Sequence, residues 1–255
     1  MAAYRTEAIV LRVQPFAEAD RLATLLSPEQ GRIRAIARGA QRGRSILSAA
    51  VQPFVRARLL FWRGRQLDGI SQAEIIAAHG ALSGSMALLA SASYCCDLAD
   101  AFSVERQEAP ALFRALGDAL DQLCAEPPAP APGVVLRWYE LHCLDASGFL
   151  PELHACTGCG APLGEPSGRT RLSAREGGVL CGPCAAEDRG GLWLGPGALR
   201  GLRYLAAAGP EVLRRVRVQP ATMAEMDQAL GRHVGAILQR PLRSRALLDA
   251  LTAEG

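Results

Sequence analysis

Short alternations of apolar and polar residues fill the chain from Tyr4 to Ile76, and helical spacing takes over after Gly80. Ala8 to Val13 and Arg21 to Leu26 read as strands either side of a break at Pro15 to Asp20, because successive strand side chains point to opposite faces. Pro28, Glu29, Gln30 and Gly31 make a tight connection into Arg32 to Arg38. There Ile33, Ala35 and Ala37 share one face and Arg32, Arg34 and Arg38 the other. Gly39 to Ser48 lacks strand periodicity and reads as a mobile basic loop. Gln52 to Trp62 alternates again, setting Val55, Ala57, Leu59 and Phe61 against Phe54, Arg56, Arg58, Leu60 and Trp62. Arg63 to Arg65 then turn the chain into a last strand, Gln66 to Ile76. Five short strands before Gly80 suit a small closed barrel of the OB type, so residues 1–79 are predicted to form an OB-fold nucleic-acid-binding domain.

Residues 80–255 are predicted to be helical, giving an α+β chain. Met86, Leu89, Tyr94, Leu98 and Phe102 fit one helix, and Leu112, Leu116, Leu120 and Leu123 a second. Pro127 to Gly133 is a stiff connector that excludes helix. Val134 to Ser147 restarts a helix with Trp138, Leu141 and Leu144 facing inward. Pro196 to Ala208 and Met223 to Leu238 read as two more, the latter with Met223, Met226, Leu230, Val234 and Ile237 on one core stripe. Cys95, Cys96, Cys124, His142 and Cys143 are read as packing residues.

Charge changes this picture. From Gln30 to Leu67 there are nine arginines and no Asp or Glu, whereas the whole chain carries only +3, so the remainder is net −6. A concentrated patch of this kind selects polyanions, because counterion release from a phosphate backbone drives salt-dependent, sequence-independent binding. Arg32, Arg34, Arg38, Arg42 and Arg44 are the principal candidate phosphate contacts, with Arg12, Arg56, Arg58, Arg63 and Arg65 supporting. The opposing expectation is a solvated face paired with acids from elsewhere. Trp62, on the arginine face, suits either base stacking or packing, and Phe61 is read as core. A second, smaller basic stretch holds Arg232, Arg240, Arg243 and Arg245.

Four of the eight cysteines carry the most specific local signal. Cys156-Thr157-Gly158-Cys159 and Cys181-Gly182-Pro183-Cys184 are two Cys-x-x-Cys turns, a spacing that delivers four thiolates to one structural zinc. Four thiolates leave no open position for an activated water. The zinc ribbon is expected at about 152–192, interrupting the helical domain. Cys181 and Cys184 alone match a thiol-disulfide oxidoreductase tetrapeptide, but no strand-helix unit surrounds them and the upstream pair stays unexplained. A zinc deaminase would need a His-x-Glu and an open site, and His154 lacks the Glu.

The start of the chain lacks the apolar core of a secretory signal, and no apolar run approaches the length of a membrane span, so a cytoplasmic protein is expected. No phosphate-binding Gly-Lys loop, carboxylate cluster or nucleophile motif is present, so no catalysis is expected.

The order of parts resembles the bacterial RecO family of recombination mediators. The likeness runs from Ala8-Ile9-Val10-Leu11-Arg12 through Gly31-Arg32-Ile33, Ala37 to Arg42, Gln52-Pro53-Phe54 and Gln72-Ala73-Glu74. It continues in Leu136 to Leu141, Gly148-Phe149-Leu150-Pro151 and Arg240-Pro241-Leu242-Arg243-Ser244-Arg245. The resemblance implies an N-terminal OB domain and a helical domain with an inserted zinc ribbon. It further implies binding of single- and double-stranded DNA near the nucleoid, annealing of complementary strands, association with RecR, and help for RecA in displacing single-strand-binding protein. By position in the family, Arg137 is the candidate for the acidic tail of single-strand-binding protein, against the alternative of a helix arginine paired with Glu140 or Asp145. An RNA-binding OB protein is the other binding class the residues allow.

Overall fold

The computed structural model describes residues 3–41, 46–127 and 129–253. Strands β1 (Ala3–Phe16), β2 (Asp20–Ser27), β3 (Gly31–Ala37), β4 (Arg56–Trp62) and β5 (Asp68–Ala77) close into a barrel in the order β1-β2-β3-β5-β4, with β1 also bonded to β4. The one parallel contact, β3 with β5, is short, running from Ala35–Asp68 to Ala37–Ile70. This is the OB-type barrel expected from the alternation. Helix α1 (Ile46–Ala50) stands in the β3–β4 connection, which periodicity alone assigned to a loop.

Ala8, Val10, Ala23, Leu25, Ile33, Ala35, Leu59 and Phe61 fill the barrel interior. Alanines on three strands leave room for Phe61, whose ring stacks on Tyr4 with centroids 5.0 Å apart. The exterior divides in two. Ile9, Leu11, Leu22 and Leu26 point outward yet are buried, because α2 (Met86–Phe102) and α3 (Pro110–Leu123) cover β1 and β2. Accordingly β2 is a nearly continuous buried run, as a strand covered on both faces must be. β3 and β4 instead alternate between buried and accessible positions. The barrel therefore keeps one open face, formed by β3, β5 and β4.

Gly31 shows why the covering works. Its φ is +59°, and a Cβ there would lie 2.1 Å from the Gln107 carbonyl oxygen and 2.4 Å from that of Val104. The chain leaving α2 thus passes directly over β3, where the Arg32 N–H donates to the Val104 carbonyl at 3.1 Å.

Residues 125–241 form a second compact unit. It comprises α4 (Pro132–Ala146), β6 (Thr170–Ser173), β7 (Gly178–Leu180), α5 (Gly182–Glu187), β8 (Leu192–Leu194), α6 (Pro196–Ala207) and α7 (Pro220–Leu238). The small strands form a sheet in the order β7-β6-β8. Pro132, expected in a helix-free connector, opens α4, where its missing N–H would have had no helical partner in any case. Pro220 opens α7 in the same way, ahead of the expected start at Met223. Met226, Leu230 and Val234 are buried, as the stripe predicts. The last helix, α8 (Arg243–Ala253), belongs to the barrel unit and runs against α2, where the Ser244 hydroxyl donates to Asp97 at 2.6 Å. Among the described residues, no helix is long and apolar enough to cross a membrane.

Candidate nucleic-acid interface and metal centre

Arg34 projects outward from β3, Arg38 follows its last residue, and Arg63 and Arg65 lie in the turn between β4 and β5. All four are exposed, and among the described residues no carboxylate forms an ion pair with any of them. Their side chains are nevertheless placed. The Arg38 guanidinium lies 5.3 Å from the centroid of the Trp62 ring, and that of Arg63 lies 5.3 Å from the Tyr4 ring.

One carboxylate organises the β4–β5 turn beneath them. Asp68 accepts from the Tyr4 hydroxyl at 2.5 Å and from the Gly64 N–H at 3.1 Å. A Cβ on Gly64 would stand 1.8 Å from the Leu67 carbonyl oxygen, so the turn closes only around glycine. Burial and the bond to Asp68 push the Tyr4 hydroxyl above its ordinary range, which keeps it a donor. Arg63 also donates to the Gln30 side chain at 3.3 Å.

The remaining candidate arginines are placed differently. Arg32 donates to the Asp100 carbonyl at 3.0 Å and pairs with the Asp100 carboxylate at 3.5 Å and Glu105 at 3.9 Å. Arg12 reaches Asp100 at 3.5 Å. Arg56 is ion-paired with Glu7 and lies over the Phe113 ring, while exposed Arg58 meets Glu74 at 2.9 Å. The acid-free segment is therefore not acid-free in space, because β1, β5, α2 and the chain after α2 each supply a carboxylate. Arg42 and Arg44 lie outside the described residues. Arg106, which sequence reasoning did not single out, shares a small polar cleft with Arg32, Arg34, Tyr4 and Asp68. It lies far downstream of the patch, and nothing local marks it.

In the second unit the four expected cysteines converge. Their Sγ atoms all lie within 4.8 Å of one another, and Cys159 and Cys181 are 3.7 Å apart. Ligands about 2.3 Å from a tetrahedral zinc would stand roughly 3.8 Å apart, so the cluster fits such an ion. Burial pushes the Cys156 thiol up, but the backbone N–H groups of Cys181, Cys159 and Gly158 outweigh it and bring it to about 6. Gly158 packs tightly on this cluster, since a Cβ there would lie 3.0 Å from the Cys184 Sγ. Behind the cluster, Arg203 on α6 donates to the carbonyls of Leu153, Gly164 and Leu163 at 2.8, 2.8 and 3.0 Å, fixing the ribbon to the helix.

Residues 1–79 match the family described as "Recombination protein O N terminal", and residues 84–246 match "Recombination protein O C terminal". The chain is 38% identical over 251 residues to the DNA repair protein RecO of Symbiobacterium thermophilum, covering 98% of each. It is 38% identical over 246 residues to the RecO of a Roseiflexus species, covering 96% of this chain and 85% of that one. With the RecO of Desulforudis audaxviator it shares 37% over 248 residues, covering 97% of each. The chain belongs to the RecO family.

In this RecO chain Arg137 lies on α4 within a network of carboxylates. Its side chain is 3% exposed, its guanidinium meets Glu140 at 2.6 Å, and it is ion-paired with Asp227 on α7. These pairs join α4 and α7, and Asp227 is a partner that the sequence reading did not name. Trp62, left open between stacking and packing, is partly buried on the arginine face.

Proposed function

We propose that this RecO protein is a non-enzymatic, DNA-binding mediator of recombinational repair. In this reading residues 1–79 grip single- and double-stranded DNA, and the helical remainder, with the ribbon at about 152–192, meets protein partners. The observation that carries it is the group of four exposed guanidiniums, Arg34, Arg38, Arg63 and Arg65, none of which meets a carboxylate among the described residues. Such a surface neutralises phosphates without reading base edges, which is what bringing two complementary strands together requires. Arg42 and Arg44 extend it in our reading, while Arg12, Arg32, Arg56 and Arg58 contribute less because each already meets a carboxylate.

RecR, the tail of single-strand-binding protein and, indirectly, RecA are the partners we assign, in the cytoplasm at the nucleoid. Arg137 is the residue we assign to the carboxylates of that tail, its guanidinium being held by Glu140 and Asp227 in the free chain. The four-cysteine centre would hold zinc through Cys156, Cys159, Cys181 and Cys184, and its chemistry there is that of a structural clamp. Convergence of four thiols on one point favours this over a dithiol at Cys181 and Cys184.

The test is binding of single-stranded DNA, duplex DNA and RNA of equal length across a salt series. DNA binding with a steep salt slope supports the reading. A clear preference for RNA at fixed salt would move the protein to the RNA-binding class, since discrimination at one site depends on the 2′-hydroxyl.

A further inference from the structure

Trp62 sits on the open face, where an exposed aromatic would serve as a stacking platform for a nucleobase. Its surroundings argue for another role. Gly69, its cross-strand neighbour on β5, provides the floor, since a Cβ there would stand 2.2 Å from Cε2 and 2.3 Å from Cζ2 of the indole. No other residue fits beneath the ring. Above it stands the Arg38 guanidinium, 5.3 Å from the ring centroid. The Gly69 backbone against the indole and a cation over its centroid occupy the π-surface that a base would need.

We infer that Trp62 is a pedestal that holds Arg38 toward the phosphate backbone, and that Gly69, Trp62 and Arg38 form a base-blind contact for any sugar-phosphate strand. The inference rests on the proposed DNA-binding reading and refines it. Arg38 needs such support because it follows the last residue of β3 and has no carboxylate partner among the described residues. A free arginine loses rotamer entropy on meeting a phosphate, and the indole removes part of that cost beforehand. A bound phosphate oxygen accepts from the guanidinium while the ring stays beneath it, so binding displaces no packed group.

The experiment compares a single-stranded oligonucleotide with an equally long strand of abasic deoxyribose phosphates, using Trp62→Leu, Trp62→Phe, Arg38→Ala and Trp62→Leu/Arg38→Ala. Trp62→Leu is expected to weaken both strands about three-fold, the scale of an exposed cation–π contact. The ratio between the strands should stay fixed, Trp62→Phe should bind close to wild type, and the double variant should bind no worse than Arg38→Ala. Thermal unfolding of each variant separates lost binding from lost fold, and Trp62→Phe keeps the test open should Trp62→Leu not fold. If Trp62→Leu or Trp62→Phe weakens the normal strand but spares the abasic one, the ring stacks bases and the pedestal is wrong. Losses that add fully with Arg38→Ala overturn it as well. Failure of wild type to bind either strand would instead sink the DNA-binding reading itself.

Discussion

The Arg32 guanidinium donates to the Asp100 carbonyl at 3.0 Å and faces the Asp100 carboxylate at 3.5 Å, which ties β3 to the end of α2. The first arginine of the cationic stretch is thereby part of how the helices seat on the barrel. Arg12 shares the same carboxylate. Asp100 thus holds the half-buried Arg32 and the more exposed Arg12 together.

Asp100→Ala should remove the carboxylate that Arg12 and Arg32 share, while the backbone carbonyl at position 100 and Glu105 still hold Arg32. Nucleic-acid affinity is expected to rise at low salt with a steeper salt slope, while stability falls by about 1 kcal/mol for the loss of partly exposed pairs and one acceptor. Titration of an oligonucleotide at several salt concentrations, beside denaturant unfolding, checks both halves.

Arg137→Ala should be far more damaging. It takes the Arg137 guanidinium away from Glu140, whose side chain is wholly buried. Removing one partner of a buried pair costs about 3–5 kcal/mol. Replacing Arg137 by Met together with Glu140 by Leu should recover most of that loss. Chemical denaturation of the single and double variants measures it, and equal instability of the two would contradict the pairing.

His233 on α7 gives the second unit a dependence on acid. Its Nε2–H donates to the Phe149 carbonyl at 2.9 Å, and burial lowers its pKa below the ordinary 6.5, against a smaller upward pull from that bond. The unfolded chain therefore takes up the proton first as pH falls. Stability is intact above about pH 6.5 and declines below it, by at most about 1.4 kcal/mol per pH unit. His233→Gln, which retains an N–H donor, should flatten that decline in unfolding curves between pH 7 and 5.

Chelation should loosen the ribbon and spare the barrel. Cys159→Ser or a strong chelator is expected to expose amides near β6 and β7 to hydrogen exchange, while β1 to β5 keep their protection. A ribbon held mainly by Arg203 would keep its protection without metal.

How much of this was legible in the sequence follows from the range of the forces involved. The alternation of Ile33, Ala35 and Ala37 with arginines located β3 and its buried face, and two Cys-x-x-Cys turns located the four-cysteine cluster, because both signals are local. The partners of Arg32 and Arg137 were not legible: Asp100 lies 68 residues from Arg32 and Asp227 lies 90 from Arg137. Alternation showed that β4 had an outer face carrying Arg56 and Arg58, but not that Glu7 and Glu74 would stand beside them. Helix α8 escaped notice for a similar reason, since its place depends on α2.

The most direct measurement is single-stranded DNA affinity against salt for wild type and for a variant with Arg34, Arg38, Arg63 and Arg65 all replaced by alanine. Each phosphate contact contributes about 0.7 to the logarithmic slope, so the variant should bind more weakly with a slope shallower by roughly 3. An unchanged slope in a folded variant would contradict the claim that this barrel face is where the nucleic acid is held.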